Sequence, residues 1–92
     1  MRYEWDRAKN RSNFAKHGLS FEDAEQVFAR PCVTFEDDRF DYGDERLITL
    51  GLLAGRVLVI AHVPRGPATR ITSIRKANRR EQEIYRKRLD ES

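Results

Sequence analysis

The chain has few of the residues on which disulfides and imidazole metal sites depend. Among its 92 residues are one cysteine and two histidines. The lone Cys32 cannot form a disulfide within the chain, which favours a reducing cytoplasm as its location. We interpret Cys32 as a small apolar residue, with a reactive thiol as the alternative. Two histidines argue against an imidazole metal site, and the sequence predicts neither a metal nor a cofactor.

Long apolar runs are also absent. No run approaches the roughly 20 residues of a membrane span, and residues 1–5 read as a strand rather than a signal peptide. Hydrophobic residues make up 39% of the chain and charged residues 36%. This composition predicts one modest core and a single domain over residues 1–92.

Three common functional motifs are missing: the P-loop, the zinc-ligand spacing and the serine of a nucleophile elbow. The acidic stretch EDDRFDYGDE (36–45) departs from a calcium loop, because Arg39 stands at a ligand position and no glutamate completes the ligand set. We therefore interpret these carboxylates as solvated, or as contacts for a basic partner.

Charge is distributed unevenly along the chain. Residues 19–46 contain nine acidic and three basic residues, a net charge of −6. Residues 65–89 contain nine basic and two acidic residues, a net charge of +7. A basic C-terminal third suits a phosphate-rich partner. The alternative is that solvated faces carry these charges for solubility.

A first helix is predicted between two clear end signals. Asp6 can serve as its N-cap, and the helix runs to His17 and stops at Gly18. Its candidates for the core are Ala8, Phe14 and Ala15. Lys16 and His17 lie in the last turn, where positive charge meets the negative end of the helix dipole. Their position favours a structural role over a chemical one.

Two further helices are predicted. Ser20 with Asp23 resembles a capping box and starts the second helix, which ends at Pro31. Its apolar stripe recurs at helical spacing: Phe21, Ala24, Val27 and Phe28. Asn78 with Glu81 forms a second capping box, which starts a final helix through Leu89.

Short strands complete the pattern. After the N-terminal strand they are predicted at 33–35 as an edge strand, then at 47–53, 56–63 and 70–75. The strand over 56–63 is apolar on both phases and should lie centrally, whereas 70–75 carries arginine on both phases, so neither of its faces should be wholly core. The order β-α-α-β-β-β-β-α predicts an α+β fold, an antiparallel sheet packed by two N-terminal helices and one C-terminal helix.

Basic residues gather around the last hairpin and the final helix. If that hairpin is symmetric about Gly66, His62 lies opposite Arg70. Such a pair suits metal-free RNA cleavage, in which the ribose 2′-OH attacks its own phosphate. Guanidinium groups can hold the phosphate charge, and histidine, tyrosine or glutamate can carry protons. The same residues could instead only hold a nucleic-acid backbone.

Each proton-carrying candidate also has a structural interpretation. His62 near a strand end can be a hydrogen-bonded core residue. Glu81 can close the capping box and pair with Arg75 or Arg70. Tyr85 can pack on the inner stripe of the final helix.

Several long motifs resemble one family. The stretch YEWDRAKNRSNFAKHGLSFEDA (3–24) is similar to the opening signature of the BrnT toxins, and the likeness continues over nearly the whole chain in DERLITLG (44–51), VLVIAHVPRG (57–66) and RITSIRKANRREQEIY (70–85). The resemblance implies a RelE-like fold. It also implies a ribonuclease toxin of a type II toxin-antitoxin system that cleaves cellular RNA without a metal and arrests growth.

The resemblance implies site residues as well. Arg70 and Arg75 are expected to hold phosphate charge and His62 to transfer protons, with Glu81 and Tyr85 as further catalytic candidates. The expected RNA contacts are Arg65, Lys76, Arg79, Arg80, Lys16 and His17.

The implied protein partner is a BrnA-type antitoxin, a ribbon-helix-helix DNA-binding protein, in a dimer of heterodimers. Operator DNA would be contacted only through that antitoxin, and no membrane is involved. A second hypothesis stays open, in which the chain is a non-catalytic module that binds nucleic acid or an antitoxin and modulates operon repression.

Overall fold

A computed structural model describes residues 2–37 and 45–91. The central part of the acidic stretch, including the position of Arg39 weighed against a calcium loop, lies outside the described residues. In chain order the elements are β1 (Arg2–Glu4), α1 (Arg7–His17), a 3₁₀ turn (Phe21–Asp23), α2 (Ala24–Phe28), β2 (Cys32–Glu36), β3 (Leu47–Leu53), β4 (Arg56–Arg65), β5 (Ala68–Lys76) and α3 (Arg79–Glu91). Within the described ranges, no helix is long and apolar enough to cross a membrane.

The strands form one mixed five-stranded sheet in the order β1-β5-β4-β3-β2. β1 runs parallel to β5, and all other neighbours are antiparallel. The α+β class is confirmed, but the prediction of a wholly antiparallel sheet was wrong. Two helices and three strands separate β1 from β5 in the chain, and so long a connection permits parallel pairing. The predicted edge strand is β2, which forms one border of the sheet.

β4 lies at the centre of the sheet and contributes to both cores, as its apolar pattern predicted. One core lies on the side of α1 and α2, here the α1–α2 face, and is built from Phe21, Ala24, Val27, Leu58, Ile60, Ile71 and Ile74. The other lies under α3, here the α3 face, and is built from Ile48, Leu50, Val57, Val59, Ala61, Ala77 and Tyr85. The alternation of side chains along β4 therefore decides which residues reach which face.

α1 has the predicted ends but a different buried side. Asp6 accepts a hydrogen bond from the backbone N–H of Lys9 at 3.1 Å, and Gly18 adopts the left-handed φ of 71°. The prediction that Phe14 packs in the core was wrong, because its side chain is 58% exposed. Ala8 and Ala15, the other core candidates, are also exposed. The buried residue of α1 is Asn13.

Asn13 attaches α1 to the sheet. Its Nδ2 donates to the carbonyl oxygens of Ile74 at 2.9 Å and Leu19 at 3.0 Å, and its Oδ1 accepts from the N–H of Ile74 at 3.1 Å. β1 pairs only with Ala68–Arg70, so the side-chain amide serves the strand groups that β1 does not reach. A buried amide with all these partners is favourable, whereas an apolar residue would leave the strand edge unsatisfied.

The predicted second helix is a 3₁₀ turn continued by the short α2. Phe21, Ala24 and Val27 are the buried side chains of its apolar stripe, with exposed fractions of 0–1%. The Ser20 hydroxyl accepts from the N–H of Glu22 at 3.2 Å and caps the turn. The apolar spacing therefore identified the core residues correctly.

β5 contains one residue more than β4 along their pairing. Ala61 lies opposite Ser73 but His62 lies opposite Ile71, so Thr72 is the extra residue of a β-bulge. The Thr72 hydroxyl donates to the carbonyl oxygen of Ala61 at 3.1 Å. The bulge changes the alternation of side chains along β5.

The predicted register, with His62 opposite Arg70, was wrong. The hairpin turn contains two residues, 66–67, rather than one central glycine, so Val63 lies opposite Arg70. A shift of one residue sends a side chain to the other face of a sheet. His62 and Arg70 are consequently on opposite faces.

The bulge also overturns the expectation that neither face of this strand is wholly core. Ile71 and Ile74, three residues apart, both enter the core of the α1–α2 face, with exposed fractions of 1% and 0%. The register places Arg70 and Arg75, five residues apart, together on the α3 face. One extra residue thus sorts the strand into an apolar side and a cationic side.

Candidate active site

A cleft opens on the α3 face where the first turn of α3 meets β5. Its volume is about 410 Å³. It is lined by Phe35, Glu36, Asp37, Ile48, Val59, Arg75, Asn78, Arg80, Glu81 and Ile84. The central strands supply an apolar floor, and the strand ends and α3 supply a charged rim.

Arg75 and Glu81 form a bidentate ion pair in this cleft. Nη1 of Arg75 donates to Oε1 at 2.8 Å and Nη2 donates to Oε2 at 2.7 Å. The two side chains are 34% and 20% exposed, and Nη1 also donates to the carbonyl oxygen of Lys76 at 3.3 Å. Two parallel bonds fix the plane of a guanidinium group, so Arg75 is held in one orientation on the cleft wall.

Glu81 also closes the predicted capping box. Its Oε1 accepts from the N–H of Asn78 at 2.9 Å, and Oδ1 of Asn78 accepts from the N–H of Glu81 at 2.8 Å. Both structural interpretations of Glu81, the cap and the pair with Arg75, are confirmed. The start of α3 is therefore tied to the orientation of Arg75.

The charges around the cleft are nearly balanced. Arg75 and Arg80 are its cations, and the backbone N–H groups at the start of a 13-residue helix add partial positive charge. Glu36, Asp37 and Glu81 are its carboxylates. Positive and negative groups thus face each other across the cleft, which favours a ligand that has both an anion and hydrogen-bond donors.

Arg70 lies elsewhere on the α3 face and has its own carboxylate. Its Nη1 donates to Oε2 of Glu4 at 2.9 Å, with side-chain exposures of 30% and 39%. The two residues lie opposite each other in the parallel pairing of β1 with β5. Both arginines predicted to hold phosphate are therefore paired with acidic residues in the unbound chain.

His62 lies in the other core. It is 5% exposed, its ring packs edge-on against Phe28 at 5.1 Å between centroids, and its Nε2 is 2.7 Å from Oγ1 of Thr49. Burial lowers the pKa of His62 to about 4, which keeps the ring neutral at physiological pH. The buried Nδ1 has no hydrogen-bond partner among the described residues. The position and charge state match the predicted alternative of a core histidine.

Tyr85 and Lys76 line a separate hollow of about 270 Å³ on the other side of α3, near the β3–β4 turn. Tyr85 is 7% exposed and belongs to the core of the α3 face. Arg56 and Arg86 line the same hollow. The structure thus separates Tyr85 and Lys76 from the cleft that contains Arg75.

The remaining predicted RNA contacts are spread over the surface. Arg65 and Arg79 are exposed, the first at the end of β4 and the second at the start of α3. Lys16 and His17 line a groove of about 430 Å³ between α1 and the bulge of β5.

Of the predicted site residues, the cleft brings together three: Arg75, Arg80 and Glu81. The prediction missed Glu4 and Asn13. The alternation of the first strand offered a signal for Glu4 as an outward polar residue, but its pairing with Arg70 depends on a contact 66 positions away in the chain. Nothing in the helical pattern identified Asn13, because a polar residue on the buried side contradicts that pattern.

The described residues add neither a metal-binding cluster nor a reactive thiol to the candidate site. The described residues contain no group of three or more His, Cys, Asp or Glu side chains placed to hold a metal ion. Cys32 is half-buried, and burial raises the pKa of its thiol, which disfavours the reactive thiolate and supports its interpretation as an apolar residue.

Comparison with known proteins gives one family. No curated protein matches the chain. The profile of one family, described as "ribonuclease toxin, BrnT, of type II toxin-antitoxin system", matches residues 5–81. This range includes the Arg75–Glu81 pair and the whole β4–β5 hairpin, and it begins one residue after Glu4, the partner of Arg70. The chain therefore belongs to the BrnT family of ribonuclease toxins of type II toxin-antitoxin systems.

Proposed function

We propose that this toxin is an endoribonuclease that cleaves cellular RNA without a metal ion, at the cleft formed by β5 and the first turn of α3. The observation that carries the proposal is the guanidinium of Arg75, fixed in orientation at a cleft beside Arg80 and the start of α3. A phosphodiester in this cleft would meet a guanidinium whose orientation Glu81 has already fixed, and charge oriented in advance is the usual source of large rate effects.

The chemistry assigned to Arg75 is stabilisation of the phosphorane formed when the 2′-oxygen bonds to phosphorus. Collapse of the phosphorane breaks the bond from phosphorus to the 5′-oxygen and gives a 2′,3′-cyclic phosphate and a 5′-hydroxyl, which receives the proton taken from the 2′-OH. A guanidinium stays charged at all relevant pH values and matches two phosphate oxygens at once. Arg80, in the first turn of α3, would contact the non-bridging oxygens of the same phosphate or the adjacent phosphate.

Glu81 is the proton acceptor assigned to this cleft. A carboxylate oxygen accepts more than one hydrogen bond, so the 2′-OH can donate to Oε2 beside Arg75. Proton transfer to Glu81 would weaken its pair with Arg75 at the step in which the phosphate gains charge. The ion pair thus couples the loss of the proton to the release of the guanidinium toward phosphate.

Three other catalytic candidates, and Lys76 among the predicted RNA contacts, receive different roles. We assign His62 to the core of the α1–α2 face rather than to proton transfer. Arg70, Tyr85 and Lys76 lie outside the cleft: Arg70 is assigned to its ion pair with Glu4, Tyr85 to packing and Lys76 to substrate contacts.

For the partner, we propose a BrnA-type antitoxin that covers the α3 face in a dimer of heterodimers. An acidic or amphipathic segment of the antitoxin would compete with Glu81 and Glu4 for Arg75 and Arg70. Binding there would close the cleft and explain neutralisation, and operator DNA would be reached only through the antitoxin.

Incubation of the purified protein with RNA in EDTA tests the proposal. Cleavage should persist in EDTA and should be retained by Lys87→Ala, which removes an exposed charge on α3 away from the cleft. Glu81→Gln keeps an oxygen for the Asn78 cap but cannot accept the proton, and it should abolish cleavage while retaining the helical circular dichroism. Intact RNA with folded wild-type protein would contradict the proposal.

One observation favours the non-catalytic alternative. Both Arg70 and Arg75 are paired with carboxylates, an arrangement that also serves a purely structural purpose. Under that alternative the protein would bind RNA or antitoxin with a strong salt dependence but without turnover, and its expression without antitoxin would leave growth unaffected.

A further inference from the structure

The balanced charge of the cleft raises the question of where the rest of an RNA strand is held. Affinity for a nucleic-acid backbone comes chiefly from cations that replace condensed counterions. Two arginines facing three carboxylates supply little of this affinity. A second cationic surface near the cleft is therefore needed for a substrate longer than a few nucleotides.

The groove between α1 and β5 provides such a surface. It has a volume of about 430 Å³, and Lys9, Ser12, Lys16 and His17 of α1 face Thr72 and Ser73 of the bulge across it. None of the described residues that line the groove carries a carboxylate. Ammonium groups and hydroxyls are common partners of phosphate oxygens.

The whole of α1 has the same sign of charge. Over residues 7–17 it contains two arginines, two lysines and one histidine, and no acidic residue. Lys9 and Lys16, seven residues apart, lie on one side of the helix, and both are exposed. A helix with this charge has no balancing partner within itself and favours an anionic ligand.

The groove has a fixed shape. Asn13 holds α1 against Ile74 through a buried pair of hydrogen bonds. β1 is too short to cover β5 beyond Arg70, so the edge at the bulge forms a wall of the groove instead of pairing with another strand. A ligand would meet this surface already formed.

The groove and the cleft meet on one strand. Ser73 lines the groove and Arg75 lines the cleft, and two residues of a strand span only about 7 Å. A single extended strand can therefore pass from one to the other around the edge of β5.

We propose that the α1–β5 groove binds the phosphate backbone of the RNA on one side of the cleavage site, with Lys9 and Lys16 as the phosphate contacts. This rests on the proposed function, since it takes the cleft as the place of cleavage. It assigns α1 to substrate binding, and Lys9, Ser12 and the bulge residues to the RNA surface.

Binding of a mixed-sequence 2′-O-methyl oligonucleotide tests the proposal without cleavage, because the attacking 2′-OH is blocked. Its affinity for the full chain is measured by fluorescence anisotropy at several salt concentrations. The variant is Lys9→Ala/Lys16→Ala, and the control is Arg30→Ala/Lys87→Ala, which removes the same charge from exposed positions outside the groove and the cleft.

The double lysine variant should reduce the slope of log affinity against log salt by about 1.4, since each phosphate contact to a single strand contributes about 0.7. The ratio of wild-type affinity to variant affinity should therefore be roughly 25-fold larger at about 0.1 M salt than at about 1 M salt. The control should keep the wild-type slope. Alanine is a strong helix former, so the variant should fold, and its melting temperature verifies this.

The two proposals fail in different ways. The groove proposal would be overturned if the folded lysine variant kept the wild-type salt slope, or if the control variant lost as much of that slope. If the wild-type chain does not cleave RNA but the salt slope falls only in the lysine variant, the groove is supported as an RNA-binding surface. The nuclease assignment at the cleft is then contradicted.

Discussion

The two faces of the sheet handle polar groups in opposite ways, although β4 and β5 contribute to both. On the α1–α2 face, the polar residues Asn13, Thr49 and His62 are buried and uncharged, and they bond to backbone or to one another. On the α3 face, Arg70 and Arg75 are charged, partly exposed and paired with carboxylates. The first arrangement stabilises the fold, and the second leaves charge where a ligand can reach it. A residue type alone therefore does not show where a side chain lies: the histidine is buried in a core, and the arginines are on a face that a ligand can reach.

The largest effect on activity should come from Arg75→Ala, which removes the oriented guanidinium from the cleft. Loss of one preorganised donor to a developing oxyanion typically costs about 100- to 1000-fold in rate, and we expect a loss in this range in gel-based RNA cleavage. Stability should change by only about 1 kcal/mol, since the pair with Glu81 is partly exposed. The pairing of Arg70 supplies a matched control, because Arg70→Ala breaks a similar ion pair outside the cleft. Equal losses of cleavage rate in Arg75→Ala and Arg70→Ala would contradict the assignment of Arg75, rather than Arg70, to the site of cleavage.

The largest effect on stability should come from Asn13→Ala on the α1–α2 face. The change leaves both backbone groups of Ile74 and the carbonyl of Leu19 without their side-chain partner. At about 1 to 3 kcal/mol for each unsatisfied buried group, we expect a loss of about 4 kcal/mol in the free energy of unfolding, measured with urea. Phe14→Ala is the control, and it should cost well under about 1 kcal/mol because that ring is exposed. If Phe14→Ala lost more unfolding free energy than Asn13→Ala, the result would contradict the finding that α1 buries Asn13 and exposes Phe14.

A pH effect of intermediate size should come from His62. Its pKa is lowered to about 4 in the folded chain, compared with about 6.5 when unfolded. Above pH 6.5 both states hold a neutral ring and stability is unaffected by this group. Between pH 6.5 and about 4 the unfolded state takes up the proton first, so stability falls as pH falls, by up to about 3 kcal/mol.

Unfolding of wild type and His62→Gln across this pH range measures the effect. The difference in stability between them should shrink by up to about 3 kcal/mol on acidification, because glutamine does not titrate. A constant difference would show that His62 is not held neutral by burial.

The smallest effect concerns the cap of α3. Asn78→Ala removes the acceptor for the N–H of Glu81 and should cost about 1 kcal/mol of stability, measured by thermal unfolding. Because the cap helps to position Glu81 beside Arg75, the same variant should also reduce cleavage. Lys87→Ala, a similar truncation on the exposed side of α3, should do neither. An unchanged rate in Asn78→Ala would show that the ion pair alone fixes the cleft.

Local signals were read correctly from the sequence where the structure depends on neighbouring residues. The caps at Asp6 and Asn78, the stop at Gly18 and the two-residue turn between β3 and β4 all agree with the structure. Each of these features is determined within a few residues, so its pattern is complete in the chain.

Long-range features were not recoverable in the same way. The bulge at Thr72 adds one residue to one strand, and no local pattern shows which residue is extra. The separation of His62 from Arg70 follows from the two-residue turn at 66–67, and the partnership of Arg70 with Glu4 follows from the pairing of β1 with β5. The prediction placed His62 beside Arg70 by assuming a hairpin symmetric about Gly66, whereas the fold divides the two residues between two faces.

The sequence by itself determined the helix ends, the central apolar strand, the basic C-terminal third and, through its long motifs, the family. Only the tertiary structure decided which charged side chains meet, because strand register and the bulge set the face that each side chain reaches. The cleft of Arg75, Arg80 and Glu81 and the cationic groove along α1 arise from those long-range contacts, which depend on packing between elements rather than on any short stretch of residues.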